Sequence, residues 1–389
     1  MATMTPMTDA PVQLICMAPS LVITSIKKHD NQHLFHPTRR AGDVVSAENE
    51  PKSSSHLASW LIELLFFSSP DDDTESSSRF LSYVETQHEV SIVMDEAKLA
   101  KFPEGALTHE PTRWKALQVA SAGAGAFLTQ LATLHELTMR LAHQNISVFQ
   151  ISTYQTDYIL VKVEDLHRAI QCLRSFCDIE MEQDAPMQLE LSRAVSMNSV
   201  DPDDTSELKT QQPDQDEASV QQHTLSAPHL DLYLIQIDKT CVRRQLYSFV
   251  HLFFHERRNS STQEEDETPR GQLFLSYSET GDDISIVTSD IDFVQQMQSL
   301  AYAGEHGIMV SPDAWKVVQI GDHDLGFAET GIVAAHTRVL LSAGTMVFYL
   351  STFSTDFMLI KEDEWSDALE TLRTHFCLVE GSFLPLQHT

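Results

Sequence analysis

The sequence predicts an α+β protein built from small βαββαβ modules of the ferredoxin-like type, two in each half and four in all. Three observations predict it. First, the halves repeat one another in order. FLSYVET (80–86) returns as FLSYSET (274–280), WKALQV (114–119) as WKVVQI (315–320), and STYQTDYILVK (152–162) as STFSTDFMLIK (351–361). Second, short alternating stretches that read as strands are interleaved with stretches of helical spacing. Third, the strands come in pairs close enough to be hairpins, and hairpins alternating with helices define this class. The offset between copies moves from 194 to 201 to 199 residues, as loop insertions in a true duplication require.

Taken in order, residues 1–10 (MATMTPMTDA) read as a disordered start without the basic and apolar regions of a signal peptide. A first module is expected over 11–110. It carries LVITSIKK (21–28), a polar insertion at 30–55, a helix at HLASWLIELLFF (56–67), and two strands in FLSYVET and EVSIVM. His29, His33 and His36 invite a metal reading, but no cysteine or carboxylate cluster completes it, so a solvated basic loop is expected there. A second module is expected over 111–180. Its parts are a strand at Trp114–Val119, a helix at about 127–143, a hairpin at 147–162, and a helix at 163–177 with Leu166, Ile170 and Leu173 on one face. Residues 181–226, rich in Asp, Gln, Ser, Thr and Pro, read as an acidic flexible linker. Third and fourth modules are expected at 227–310, with a helix in VRRQLYSFVHLFF (242–254), and at 311–383.

Composition narrows the function. The 389 residues carry a formal net charge of −30, which repels phosphate backbones and anionic lipid and disfavours nucleic acid as a partner. Much of the acidity clusters in Asp71, Asp72 and Asp73, in 201–217 and in 264–267, runs that read as solvated loops. WLIELLFF (60–67) is far too short to span a bilayer, so membrane insertion is not expected. The five cysteines have neither C-x-x-C spacing nor a zinc pattern and read as reduced thiols of a cytoplasmic protein. No nucleophile-with-base, phosphate-loop or metal-hydrolase motif is present. SAGAGAF (121–127) has only a lone G-x-G, with Leu128 where a third glycine belongs. A binding module is expected, not an enzyme, with no cofactor and no metal.

The repeat breaks symmetry at one place. After WKVVQI comes GDHDLGFAETGIVAAH (321–336), a strand, a glycine turn and a helix start. Gly326 permits close backbone approach, and Gly331, Ile332 and Val333 offer the free N–H groups of a first helical turn to a carboxylate. Glu329 stands beside them, placed either to meet a cation or simply as a first-turn acid favoured by the helix dipole. A ligand with both an α-carboxylate and an α-ammonium, an amino acid, would satisfy the arrangement. The first half has AGAFLTQL (124–131) instead, with no acid.

These stretches, with SVFQISTYQTDYILV (147–161) and LGFAETGIVA…STFSTDFMLI (325–360), resemble the CASTOR family of cytosolic arginine sensors, tandem ACT-domain proteins acting upstream of the TOR growth-control kinase. The resemblance implies four ACT-like modules and an arginine site where the second and fourth meet. It places that site at Leu325, Gly326, Glu329, Thr330, Gly331, Ile332 and Val333, at Thr352, Phe353 and Asp356, and at Ser147 and Val148 from the first half. A residue from the linker is also implied, without an assignment. The resemblance further implies a homodimer, and engagement of the GATOR regulatory complex through Tyr154, Gln155 and Asp157. There are departures. Position 330 is Thr where arginine-binding members have Cys, and 354–355 is Ser-Thr where they have Asn-Phe, which is expected to loosen the pocket or change its ligand. A scaffold that kept the fold and lost the ligand, and a regulatory subunit of an amino-acid biosynthetic enzyme, are the competing readings.

Overall fold

The structure, a computed structural model, describes residues 12–28, 54–67, 79–120, 127–182, 223–254, 273–281, 283–321 and 325–385. The three histidines of the expected basic loop, the G-x-G stretch, the acidic runs and all but the ends of the expected linker lie outside these residues.

The first half contributes β1 (Val12–Cys16), β2 (Leu21–Lys27), α1 (Ser54–Ile62), β3 (Phe80–Glu85), β4 (Glu89–Asp95), β5 (Thr108–His109), β6 (Trp114–Ala120), α2 (Phe127–His143), β7 (Val148–Ser152), β8 (Asp157–Lys162), α3 (Leu166–Leu173) and β9 (Cys177–Met181). The second contributes β10 (Leu225–Pro228), β11 (Asp231–Asp238), α4 (Leu246–Phe254), β12 (Leu275–Thr280), β13 (Asp283–Thr288), α5 (Ile291–Tyr302), β14 (Ile308–Val310), β15 (Trp315–Ile320), α6 (Ile332–Ser342), β16 (Phe348–Ser351), β17 (Asp356–Lys361), α7 (Trp365–His375) and β18 (Leu378–Gly381).

The fold is α+β with tandem repeats, but the strands do not close into separate sheets. One ladder runs β5–β2–β4–β3–β12–β13–β11–β14, crossing between halves at β3–β12. The other runs β9–β1–β6–β8–β7–β16–β17–β15–β10–β18, crossing at β7–β16. The two ladders join where β2 meets β6 at Leu21 and Trp114, and where β11 meets β15 at Leu232 and Trp315. The result is a closed ring of strands. β1 falls within the expected first module yet pairs with β6 and β9, and β10 begins within the expected linker yet pairs with β15 and β18.

Side-chain alternation explains the layers. Along β3, Phe80 and Val84 enter the core inside the ring, while Leu81 and Tyr83 face an outer core with Leu61 of α1 and Phe249 of α4. Successive side chains of a strand point to opposite faces, so a strand with cores on both sides is apolar on both. On α3, Leu166, Ala169, Ile170 and Leu173 are buried at helical spacing.

The two halves dock by paired, duplicated bonds. Gln150 N–H donates to Ser351 Oγ and Tyr349 N–H to Ser152 Oγ, each at 3.0 Å. The β7–β8 turn reaches the opposite half, where Tyr154 N–H donates to Ser285 Oγ at 2.9 Å. Phe353 N–H makes the matching bond to Ser91 Oγ at 2.9 Å.

Candidate functional site

The β16–β17 turn, the approach to α6 and the start of β7 surround one cavity. Its walls include Ser147, Val148 and Phe149 from the first half, and Leu325, Gly326, Phe327, Glu329, Gly331, Ile332, Val333, Ser351, Thr352, Phe353 and Asp356 from the second. Every residue expected at the ligand site is therefore part of this wall except Thr330. Phe149, Phe327 and Ser351 belong to it without having been expected.

Local chemistry sets the geometry. α6 begins at Ile332, capped by Gly331 at φ +83°, a left-handed conformation that glycine adopts without a Cβ penalty. Glu329 therefore lies before the helix and is not a first-turn acid. The first intrahelical bond is Ala335 N–H to the Gly331 carbonyl at 2.9 Å, so the N–H groups of Ile332 and Val333, in the cavity wall, precede the ladder. Asp356, 8% exposed, accepts the Tyr349 hydroxyl at 2.7 Å. Burial pushes its carboxyl up to about 6, against hydrogen bonds from Tyr349 and Ser351 that lower it, with the charge of Glu329 raising it further. A cation beside it would reverse the effect of burial.

Glu329 is held from behind. Its Oε2 lies 2.8 Å from Nε2 of His223, a buried residue two positions before β10. His223 stands at the end of the expected linker. No sequence signal marked it: the ladder registers equate Leu14 of β1 with Leu225 of β10 only once the strands are paired. His336 lies one turn into α6, its Nδ1 2.8 Å from the Ile332 carbonyl. Burial, with His223 nearby, lowers its pKa to about 4, and its Nε2 is enclosed without a hydrogen-bond partner.

Ser354 and Thr355, the Ser-Thr departure, are not part of the cavity wall. Thr355 Oγ1 donates to the Ile320 carbonyl. Ser354 turns to Glu89 of β4, whose carboxyl accepts Ser354 N–H at 3.0 Å, Ser354 Oγ at 2.9 Å, Thr352 Oγ1 at 2.7 Å and Ser25 Oγ at 2.8 Å. Glu89 fastens the turn that presents Thr352 and Phe353. The cavity itself is tight, about 30 Å³, the room of about two waters. An amino acid enters only if a wall gives. One wall is the segment 325–331, outside regular structure, with Leu325 N–H bonded to the Ser354 carbonyl at 3.0 Å and Phe327 packed on Trp114, Phe149 and Phe353.

In the first half, Tyr154 is half-buried and Gln155 exposed on the β7–β8 turn. Asp157 is spent inside the turn, accepting Ser152 Oγ and, at 3.3 Å, Gln150 Nε2. Burial pushes its carboxyl up to about 6. Among the described residues no group of histidines, cysteines and acids could hold a metal, and no helix is long and apolar enough to cross a membrane.

This duplicated architecture matches a known class. Residues 110–175 and 310–374 match the ACT domain, so the chain is an ACT-domain protein with matching domains in both halves. Within that class it is similar to the CASTOR arginine sensors. Residues 44–110 match the domain described as "Cytosolic arginine sensor for mTORC1 subunit 1/2, ACT-like". The chain is 27% identical over 323 residues to the Pongo abelii protein named cytosolic arginine sensor for mTORC1 subunit 1, covering 80% of this chain and 90% of that one. It is 26% identical over 319 residues to the Homo sapiens protein of the same name, with the same coverage. Aspartate kinase from Synechocystis aligns over 96% of this chain and 57% of its own at 12% identity, with a TM-score of 0.30, too low to bear on the fold.

Proposed function

We propose that the chain is a non-enzymatic cytoplasmic amino-acid sensor of four ACT-like modules, with arginine as its ligand. One observation carries the reading. A buried acid for a side-chain cation (Asp356), a second acid for an α-ammonium (Glu329) and the free amides of a helix start converge on one cavity walled by both halves. Asp356 would take the guanidinium by charge-assisted bonds worth about 1.5–3 kcal/mol each. The carbonyls of Thr352 and Phe353 would accept its other donors, and Ile332 and Val333 would hold the carboxylate. The names of the relatives support arginine as the ligand.

Signalling to the TOR pathway would pass through a GATOR-type complex engaged at Tyr154 and Gln155, with Asp157 shaping their turn from within. The chain would work as a homodimer. Titration calorimetry is the test. Arginine should bind with measurable heat, lysine more weakly because its ammonium lacks the planar fork, and Asp356→Ala should lower affinity at least ~30-fold. No heat with the wild type would sink the sensor reading and favour the second one, a scaffold without a ligand, which the small cavity volume of about 30 Å³ favours.

A further inference from the structure

Among the described residues, the second half fills a groove whose first-half counterpart is occupied by none of them. At the end of the chain, Phe383 packs edge-on against Phe357 of β17, with ring centroids 6.1 Å apart. The next residue pairs its peptide group with a buried side-chain amide. Leu384 N–H donates to Gln319 Oε1 at 3.0 Å, and Gln319 Nε2 donates to the Leu384 carbonyl at 3.3 Å. The Glu89 carboxyl is fastened to the neighbouring β16–β17 turn.

The repeat assigns a counterpart to each wall. Gln118 stands for Gln319 and Tyr158 for Phe357, and the two are register partners across β6 and β8 as Gln319 and Phe357 are across β15 and β17. Asp283 stands for Glu89 and Gln236 for Ser25, each at the matching ladder position. Around these residues, between the first-half turn and the second half, lies a cavity of about 250 Å³, lined by Met17, Gln118, Tyr158, Gln236, Asp283 and the turn that holds Tyr154 and Gln155. Asp283 is one methylene shorter than Glu89 and accepts from Gln236 Nε2 at 2.9 Å. Gln236 Oε1, in a residue 7% exposed, has no hydrogen-bond partner. No described residue bonds the Gln118 amide. The cavity thus offers an aromatic floor, an amide able to pair with a peptide group, and acceptors that want donors.

We propose that this cavity is the docking site for an extended, basic segment of a partner protein carrying an aromatic residue followed by an aliphatic one. The aromatic ring lies on Tyr158 as Phe383 lies on Phe357, and the next peptide group pairs with Gln118 as Leu384 pairs with Gln319. A neighbouring basic side chain meets Asp283 and Gln236 Oε1. The inference deepens the partner reading of the β7–β8 turn and does not depend on the arginine reading.

The test uses the full chain and a fluorescein-labelled peptide, Lys-Gly-Ser-Phe-Leu-Pro-Leu-Gln, which joins a lysine to the chain's own closing stretch. Anisotropy should saturate, and the signal should vanish when the peptide's Phe is replaced by Ala. Gln118→Met keeps the side-chain volume and removes the amide, and should weaken binding at least tenfold with the melting temperature unchanged. Asp356→Ala, proposed above to lower arginine affinity, should leave peptide affinity within about twofold, so the two readings fail separately. The proposal is overturned if no saturable binding occurs, if Gln118→Met binds equally well, or if the peptide binds only a chain truncated after Gly381, where the second-half groove has been emptied.

Discussion

Asp356 concentrates the cost and the use of the proposed site in one carboxyl. Its pKa of about 6 in the folded chain lies above the ordinary 3.8, so ionisation opposes folding. That penalty is absent below pH 3.8 and complete above about 6. Asp356→Asn removes it while keeping an acceptor for Tyr349, and should raise stability at pH 7 by about 1–3 kcal/mol in urea melts while abolishing arginine binding. A destabilised Asn variant would show that the carboxyl is not strained in the free protein. The same shift fixes the pH dependence of binding. A guanidinium needs the ionised acid, so affinity should be flat above pH 6 and fall up to tenfold per unit below it. His336 has the opposite sign. Its depressed pKa, about 4 against 6.5, contributes stability that is lost as pH falls through that interval. Asp356 was placed at the site by the family resemblance alone, because the repeated hairpin puts an acid at the same turn position in both copies. His223 was not, because a lone histidine at the end of a polar run has no periodic neighbours to mark it.

At the scale of elements, two turns of nearly identical sequence are held differently. The second-half turn is fastened by Glu89, and the first-half turn has a cavity beneath it. Glu89→Ala orphans the buried Ser354 N–H, at about 1–3 kcal/mol, and frees the turn carrying Thr352 and Phe353. Arginine affinity should drop severalfold although Glu89 is not part of the cavity wall. An unchanged affinity would mean the turn keeps its shape unaided. Gly331→Ala forces a Cβ into φ +83°, costing about 1–2 kcal/mol, and should weaken binding by displacing the α6 amides. The helices and hairpins could be read from periodicity, since each reports its own burial. The Glu89 contact could not. It joins residues 265 positions apart, and a Ser-Thr pair at a turn gives no sign that one of the two faces another strand.

For the molecule as a whole, the duplication announced two halves, but periodicity carries no information about which strand edges meet. The ring follows from edges that would otherwise be bare. β3 and β12 pair over their full lengths, from Phe80 with Thr280 to Glu85 with Leu275, and β7 meets β16 at Ile151 and Leu350. Unpaired edges expose backbone donors and acceptors, and closure removes them. The halves should therefore stay together even without a continuous chain between them. Protease should cut first within 183–222, where composition is polar and acidic, giving two fragments. These should co-elute at the mass of the intact protein on a sizing column. They should part only in denaturant, at a concentration close to the unfolding midpoint of the uncut chain, because separating β3 from β12 opens the core inside the ring. Arginine should also bind the nicked protein with unchanged affinity, since Ser147 and Val148 reach the cavity through β7 rather than through the linker. Fragments that separate in plain buffer would refute the shared ring, and fragments that co-elute but lose arginine would show that the linker holds His223 against Glu329.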